Sequence, residues 1–244
     1  MVNRCVVAWK ALCGKFEREF ISAKDSEKKA EYQNYEIQLE PIFEKFGLSR
    51  TEGANQRLEK AETFHLKKEG NLFPGELDGS IQLAEICYWF VRLLKPSIVV
   101  ETGVSRGVTS AFILKALEVN RKGNLYSIEL PHLRQVIHND IGIYVPNNLR
   151  PRWKLILGSG IKEMQKLQNK IGKIDMFVHD SNHSYINQLA EYRLAWPWLN
   201  ERGVLISDDV KNSAFMEFCA ENSKDPYVIK QGKESGFVGI LAKL

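Results

Sequence analysis

A chain of 244 residues, 44% hydrophobic and 26% charged, can bury a sizeable core without disulfide staples and fits one domain with an appendage. Its 34 basic and 30 acidic residues leave a net charge of +4 with the two signs interleaved along the chain, which argues against a nucleic-acid binder whose cations gather on one face. Cys5, Cys13, Cys87 and Cys219 form no C-x-x-C pair, and no His cluster accompanies them, so a zinc or redox motif is not expected. No run approaches the ~20 apolar residues of a membrane span. The apolar stretch at 5–9 is too short for a signal-peptide core, and a cytoplasmic protein with reduced thiols is the expectation.

Residues 1–74 are rich in Lys, Glu and Gln. Val6, Leu12, Phe16 and Phe20 recur at helical spacing, as do Tyr35, Leu39, Phe43 and Phe46. They predict a helical extension, expected to serve as a lid or a homodimer surface. Asn71-Leu-Phe-Pro-Gly75 is a turn cluster and the expected boundary with a domain over 75–244.

Beyond it, residues 79–94 read as a helix stopped by Pro96. Apolar runs then alternate with helical stretches. The runs are 98–100, 125–128, 155–157, 176–178 and 204–206; the helices are 108–119, 131–140, 161–170, 184–199 and 213–221. Near-continuous apolar strands separated by helices predict a doubly wound α/β fold with a mostly parallel sheet. The last two runs, 227–229 and 237–241, are separated by only 230–236, too short for a parallel crossover, so they must form an antiparallel hairpin. That hairpin is expected to enter the sheet beside the strand at 204–206. Tyr88, Trp89, Phe90, Trp196 and Trp198 are read as core or interface residues.

The first strand runs into Glu101, Gly103, Ser105 and Gly107 and then a helix. Ligands of such sheets bind at the carboxyl ends of strands near the switch point, where glycines let the backbone approach them closely. Glu129 ends the next strand, where an acid receives the two hydroxyls of a ribose. The fourth strand ends in Asp180 and the fifth in Asp208 and Asp209. Neighbouring parallel strands lie about 4.8 Å apart, so these carboxylates can converge on a hard cation such as Mg²⁺ or Ca²⁺. The alternative has Asp180 contacting a cofactor while Asp208 and Asp209 cap the next helix. His183 stands three residues beyond Asp180, and a histidine there can accept a proton at neutral pH. His179 is read as a buried structural residue.

Val100-Glu101-Thr102-Gly103-Val104-Ser105-Arg106-Gly107 resembles motif I of class I S-adenosylmethionine-dependent methyltransferases, and Ser127-Ile128-Glu129 resembles their motif II. The resemblance covers about 75–244. It implies a seven-stranded sheet with the terminal hairpin, and S-adenosylmethionine held by Glu101, Gly103, Ser105, Gly107, Thr109, Glu129, Asp180 and, along the adenine, Gly158 and Ser159. Ser105 departs from the family pattern by replacing the middle glycine, as in the small-molecule O-methyltransferase branch. The metal site of catechol-type and sugar-type O-methyltransferases resembles the cluster Asp180, Asp208 and Asp209. In the catechol-type branch a lysine base stands where His183 does. The implied activity is methyl transfer to a hydroxyl of a small-molecule acceptor, assisted by a divalent cation, with no nucleic-acid or membrane partner. The alternatives are an NAD(P)-dependent oxidoreductase, whose loop would read Gly-x-Gly-x-x-Gly, a catalytically inactive cofactor-binding module, or an RNA methyltransferase, for which neither a basic stripe nor an Asn-Pro-Pro-aromatic segment is present.

Overall fold

Five apolar runs become the parallel strands β1 (Ile98–Thr102), β2 (Asn124–Glu129), β3 (Trp153–Leu157), β4 (Ile174–His179) and β5 (Leu199–Ser207). The structure is a computed structural model and describes residues 81–132, 140–231 and 236–243. The helices expected in the first 74 residues, the boundary at 71–75, Cys5 and Cys13 lie outside the described residues. So does most of the helix expected over 131–140.

The hairpin strands are β6 (Tyr227–Lys230) and β7 (Phe237–Ala242). The sheet order is β3-β2-β1-β4-β5-β7-β6. As the short gap required, β7 runs antiparallel to both β5 and β6 and is inserted between them. The chain starts in the middle of the sheet, builds outward through β2 and β3, then returns to place β4 on the other side of β1. The β1–β4 boundary is therefore the switch point.

Side chains alternate between two apolar layers with the strand period of two. Val99, Met176, Val178, Val204, Ile206, Val238 and Ile240 join one layer, beneath helices α1 (Ile81–Leu94) and α2 (Val108–Val119). Val100, Phe177, Leu205 and Leu241 join the other, beneath α3 (Gly160–Gln168), α4 (Tyr185–Trp198) and α5 (Ala214–Glu221). Tyr88, Phe90 and Trp198 are core residues, as their spacing indicated. Among the described residues no helix is long and apolar enough to cross a membrane.

Register places the site. Thr102 pairs with His179, and His179 pairs with Ser207. The next residue of each strand, Gly103, Asp180 and Asp208, is thus delivered to one level. The ladder continues one step past the strands, with Asp180 N–H donating to Thr102 O at 2.8 Å and Asp208 N–H to His179 O at 2.8 Å.

The reversed strand depends on a close approach. A Cβ on Gly239, in the middle of β7, would lie 2.7 Å from the buried Phe215 ring of α5. Gly239→Ala should cost about 1–3 kcal/mol by overpacking. Urea unfolding should show a lower midpoint at an unchanged slope. A midpoint equal to that of the unmodified chain would show that the ring moves aside freely.

Candidate functional site

The loop leaving β1 is wound tightly by three left-handed residues, Gly103 (φ 85), Ser105 (φ 48) and Gly107 (φ 88). At Gly103 a Cβ would collide with the Asp180 carbonyl, so only glycine lets β1 and β4 end side by side. Ser105 tolerates the conformation that the family pattern assigns to glycine. Its carbonyl accepts from Gly142 N–H at 2.9 Å, and the Arg106 carbonyl accepts from Tyr144 N–H at 2.9 Å. The segment after residue 140 thereby closes over the loop, a contact the sequence did not signal.

Two carboxylates hold the loop from below. Glu101 is fully buried. Its Oε2 accepts from Ser110 Oγ and Ser127 Oγ, each at 2.6 Å, while Oε1 has no hydrogen-bond partner. Burial pushes this carboxyl up to about 7 against the two hydroxyls, and the neighbouring Glu129 adds to the rise. Glu129, at the tip of β2, accepts the N–H groups of Val104 (2.6 Å) and Ser105 (3.0 Å) on Oε2. Expected at the ribose end of a cofactor, it also clamps the loop.

The other expected cofactor residues lie beside the same loop and strand tips. Gly158 N–H donates to Glu129 O at 2.8 Å, and the buried Ser159 is the N-cap residue of α3. Thr109, in the first turn of α2, directs Oγ1 to Asp180 Oδ2 at 3.4 Å.

Beyond Asp180 the acidic cluster takes a definite shape. Ligand atoms of Asp180, His183 and Asp208 all lie within 4.8 Å of one another. His183 Nε2 stands 3.8 Å from Asp180 Oδ1 and 4.0 Å from Asp208 Oδ2. Asp209, expected from sequence as the third ligand, lies on the far side of the imidazole. Its Oδ2 is 3.7 Å from His183 Nδ1, and its carboxylate pairs with Lys211 at 2.8 Å. Burial drives all three converging groups toward their neutral forms. Asp180 is raised well above the usual carboxylate range by burial and by the charges of Asp208 and Glu101. Asp208 is raised by burial despite a hydrogen bond from Gln231. His183 is lowered to about 4 by burial, with His179 acting in the same direction. Two acids and an imidazole at this spacing are a donor set suited to a divalent cation, which would favour their ligating forms.

Behind this cluster lies a polar layer that sequence reasoning missed. His179, fully buried, shares a 2.7 Å contact between Nδ1 and Glu191 Oε2. Thr102 Oγ1 donates to the same oxygen at 2.5 Å, and Ser181 Oγ to Glu191 Oε1 at 3.0 Å. Burial alone would raise the Glu191 carboxyl; the His179 charge and these hydrogen bonds outweigh it and hold it below its usual value. Asn212 donates to Gln188 Oε1 at 2.8 Å and to the His183 carbonyl at 2.9 Å. The available signal was the spacing of Asn187, Gln188 and Glu191, which places three polar residues on the inward face of α4.

The reversed β7, the glycine loop after β1 and the acid ending β2 together define a methyltransferase domain. Residues 100–210 match the family model described as a methyltransferase domain. The described residues have the Rossmann-like methyltransferase fold, with its reversed seventh strand. Among solved structures, the O-methyltransferase from Bacillus cereus, in complex with SAH, is similar at 15% identity over 75% of this chain and 88% of that one, with a TM-score of 0.54. The O-methyltransferase from Streptomyces achromogenes involved in tomaymycin synthesis, in complex with SAM, is similar at 15% identity over 74% and 86%, also with a TM-score of 0.54. No curated protein sequence matches.

Glu101 generates a pH prediction. Between about 4.5 and about 7 the unfolded chain ionises this carboxyl while the folded chain keeps it protonated, so the folded state binds more protons and its stability falls as pH rises. Glu101→Gln retains an acceptor for Ser110 and Ser127 and removes the titration. The variant should gain stability relative to the unmodified chain between pH 5 and pH 8, by a few kcal/mol. Parallel unfolding midpoints across that range would show that the carboxyl ionises normally.

Proposed function

We propose that this chain transfers the methyl group of S-adenosylmethionine to a hydroxyl of a small-molecule acceptor, with a divalent cation at the acidic cluster. The observation that carries the reading is the adjacency of the two sites: Thr109, on the cofactor loop's helix, reaches Asp180, and Asp180 belongs to the cation cluster. A methyl donor and a cation-held acceptor would therefore meet across one residue.

The donor set fits both groups. For the cofactor, Glu101, Gly103, Ser105, Gly107, Thr109 and Asp180 line the loop, Glu129 would receive the ribose hydroxyls, and Gly158 and Ser159 would lie along the adenine. Glu101 Oε1, buried without a partner, is consistent with a ligand group missing from its surroundings. The cofactor supplies a sulfonium methyl that is already electrophilic. The cation, when bound, supplies a Lewis acid that lowers the pKa of an acceptor hydroxyl. The protein's part is alignment of the nucleophile, exclusion of water and disposal of one proton. Two chemical roles are open to His183, proton acceptor and ligand. Asp209 is placed to orient the imidazole through Nδ1.

The oxidoreductase alternative is disfavoured by the spacing Gly103-x-x-x-Gly107 and by the reversed β7. The O-methyl assignment is further supported by the neighbouring O-methyltransferase structures solved with SAH and SAM, which share this fold.

Calorimetric titration tests the reading. The chain should bind S-adenosylmethionine and S-adenosylhomocysteine and not NADH. Glu129→Ala should weaken cofactor binding by about 1.5–3 kcal/mol, the scale of a hydrogen bond to a charged group. NADH binding without S-adenosylmethionine binding would overturn the assignment, and unchanged affinity in Glu129→Ala would remove Glu129 from the cofactor site.

A further inference from the structure

We infer that His183 Nε2 is itself a metal ligand, forming with Asp180 Oδ1 and Asp208 Oδ2 a one-nitrogen, two-carboxylate site that takes a first-row transition ion such as Mn²⁺, Co²⁺ or Zn²⁺ in preference to Mg²⁺. The inference rests on the reading that this cluster holds a divalent cation, and it names the third ligand and the class of ion.

The argument is the division of each side chain into an inner and an outer atom. Asp180 turns Oδ2 outward to Thr109 and leaves Oδ1 facing the centre. Asp208 turns Oδ1 outward to Gln231, at 2.6 Å, and leaves Oδ2 facing the centre. His183 turns Nδ1 outward to Asp209 and leaves Nε2 between the two inner oxygens. Three residues, two from the loop after β4 and one from the end of β5, thus direct one donor atom each to a common point. Among them Nε2 is buried and has no hydrogen-bond partner.

The outer partners match what a ligating imidazole requires. A metal-bound histidine carries a carboxylate or carbonyl at its other nitrogen, which fixes the tautomer and the ring plane. Asp209 stands beside that nitrogen, its Oδ2 3.7 Å from Nδ1 and beyond hydrogen-bond length, and is itself paired with Lys211. The residue's carbonyl is fixed by Asn212, and the ring lies edge-on to His179 at 5.6 Å between centroids. Asp209 therefore lies outside the converging set, one step of approach from Nδ1, and the third place in the set belongs to nitrogen. The inner atoms, 3.8 and 4.0 Å apart, need to draw in by about half an ångström to share an ion with bonds of about 2.1 Å. Imidazole shifts selectivity toward the later first-row ions, whereas Mg²⁺ takes oxygen donors and keeps its waters.

The test is metal binding by the full chain after chelator treatment. Mg²⁺, Mn²⁺ and Co²⁺ are titrated calorimetrically, the Co²⁺ form is followed by visible absorption, and the Mn²⁺ form by pulsed EPR for nitrogen-14 coupling. The expected result is Co²⁺ bound at least tenfold tighter than Mg²⁺, with nitrogen coupling on Mn²⁺. His183→Ala and His183→Gln should each lose about a hundredfold in Co²⁺ affinity and lose the nitrogen coupling, while Mg²⁺ affinity stays within about threefold. Two variants guard against a folding defect in one of them, and both are checked by thermal melting. Co²⁺ binding and its spectrum unchanged in both variants would overturn His183 as a ligand while leaving a cation site on the carboxylates. Absence of binding by every ion would overturn the cation site, and cofactor titration would still decide the methyl-transfer reading separately.

Discussion

Parallel register across β1, β4 and β5 is the constraint on which the site depends. Thr102, His179 and Ser207 stand in line, so the three strands finish at one level and their next residues share one edge. A slip of one residue in β4 would turn Asp180 to the opposite face of the sheet and replace it with Ser181 or His179. Register is in turn fixed by the two apolar layers: Val178 belongs to one and Phe177 to the other, both fully buried. The hydrophobic alternation that folds the sheet is thus the same fact that brings the carboxylates together.

Placing charge at that edge carries a desolvation cost, and the structure meets it differently at each position. Glu191 is buried but fully engaged, with Thr102 and His179 on one oxygen and Ser181 and Asn187 on the other. Such a carboxylate stays ionised and ties β1, β4, the following loop and α4 into one unit. Glu101 has two hydroxyl donors, both on Oε2, and burial raises it to about 7 because those two bonds do not offset its desolvation. Removing one member of the Glu191–His179 pair would leave a buried charge without compensation, a heavier loss than the pair's net contribution to stability.

The architecture was legible in the sequence because its signals are local. Near-continuous apolar runs marked each strand, and the short connection at 230–236 alone forced the hairpin into an antiparallel arrangement. Glycines and acids at strand ends marked the loop and the cluster. What stayed hidden depends on tertiary direction. Glu191 reads as an ordinary helix glutamate until α4 is docked, and Gln231 reaches Asp208 across 23 positions of sequence. Residues 140–144 dock on the loop through backbone hydrogen bonds and through Arg106, which reaches Tyr144 and Asp140, pairings that no local sequence pattern announces.

Asp208 and Asp209 illustrate the limit most clearly. Adjacent carboxylates at a strand tip look equivalent in sequence, and both were expected to reach the same ion. Successive side chains of an extended strand point to opposite faces, so adjacent carboxylates do not reach one point by default. The backbone also leaves the strand here: Asp209 adopts φ 51, in the left-handed region that aspartate tolerates better than most residues. The turn brings Asp209 to Nδ1 of His183 and against Lys211, on the outer side of the ring. Asp208, still in line with the strand, keeps Oδ2 toward Nε2. One backbone dihedral therefore sends the two carboxylates to different nitrogens of His183. With Asp209 behind the imidazole, the atoms that converge are two carboxylate oxygens and a nitrogen, although the residues at the strand tip are those the sequence displayed.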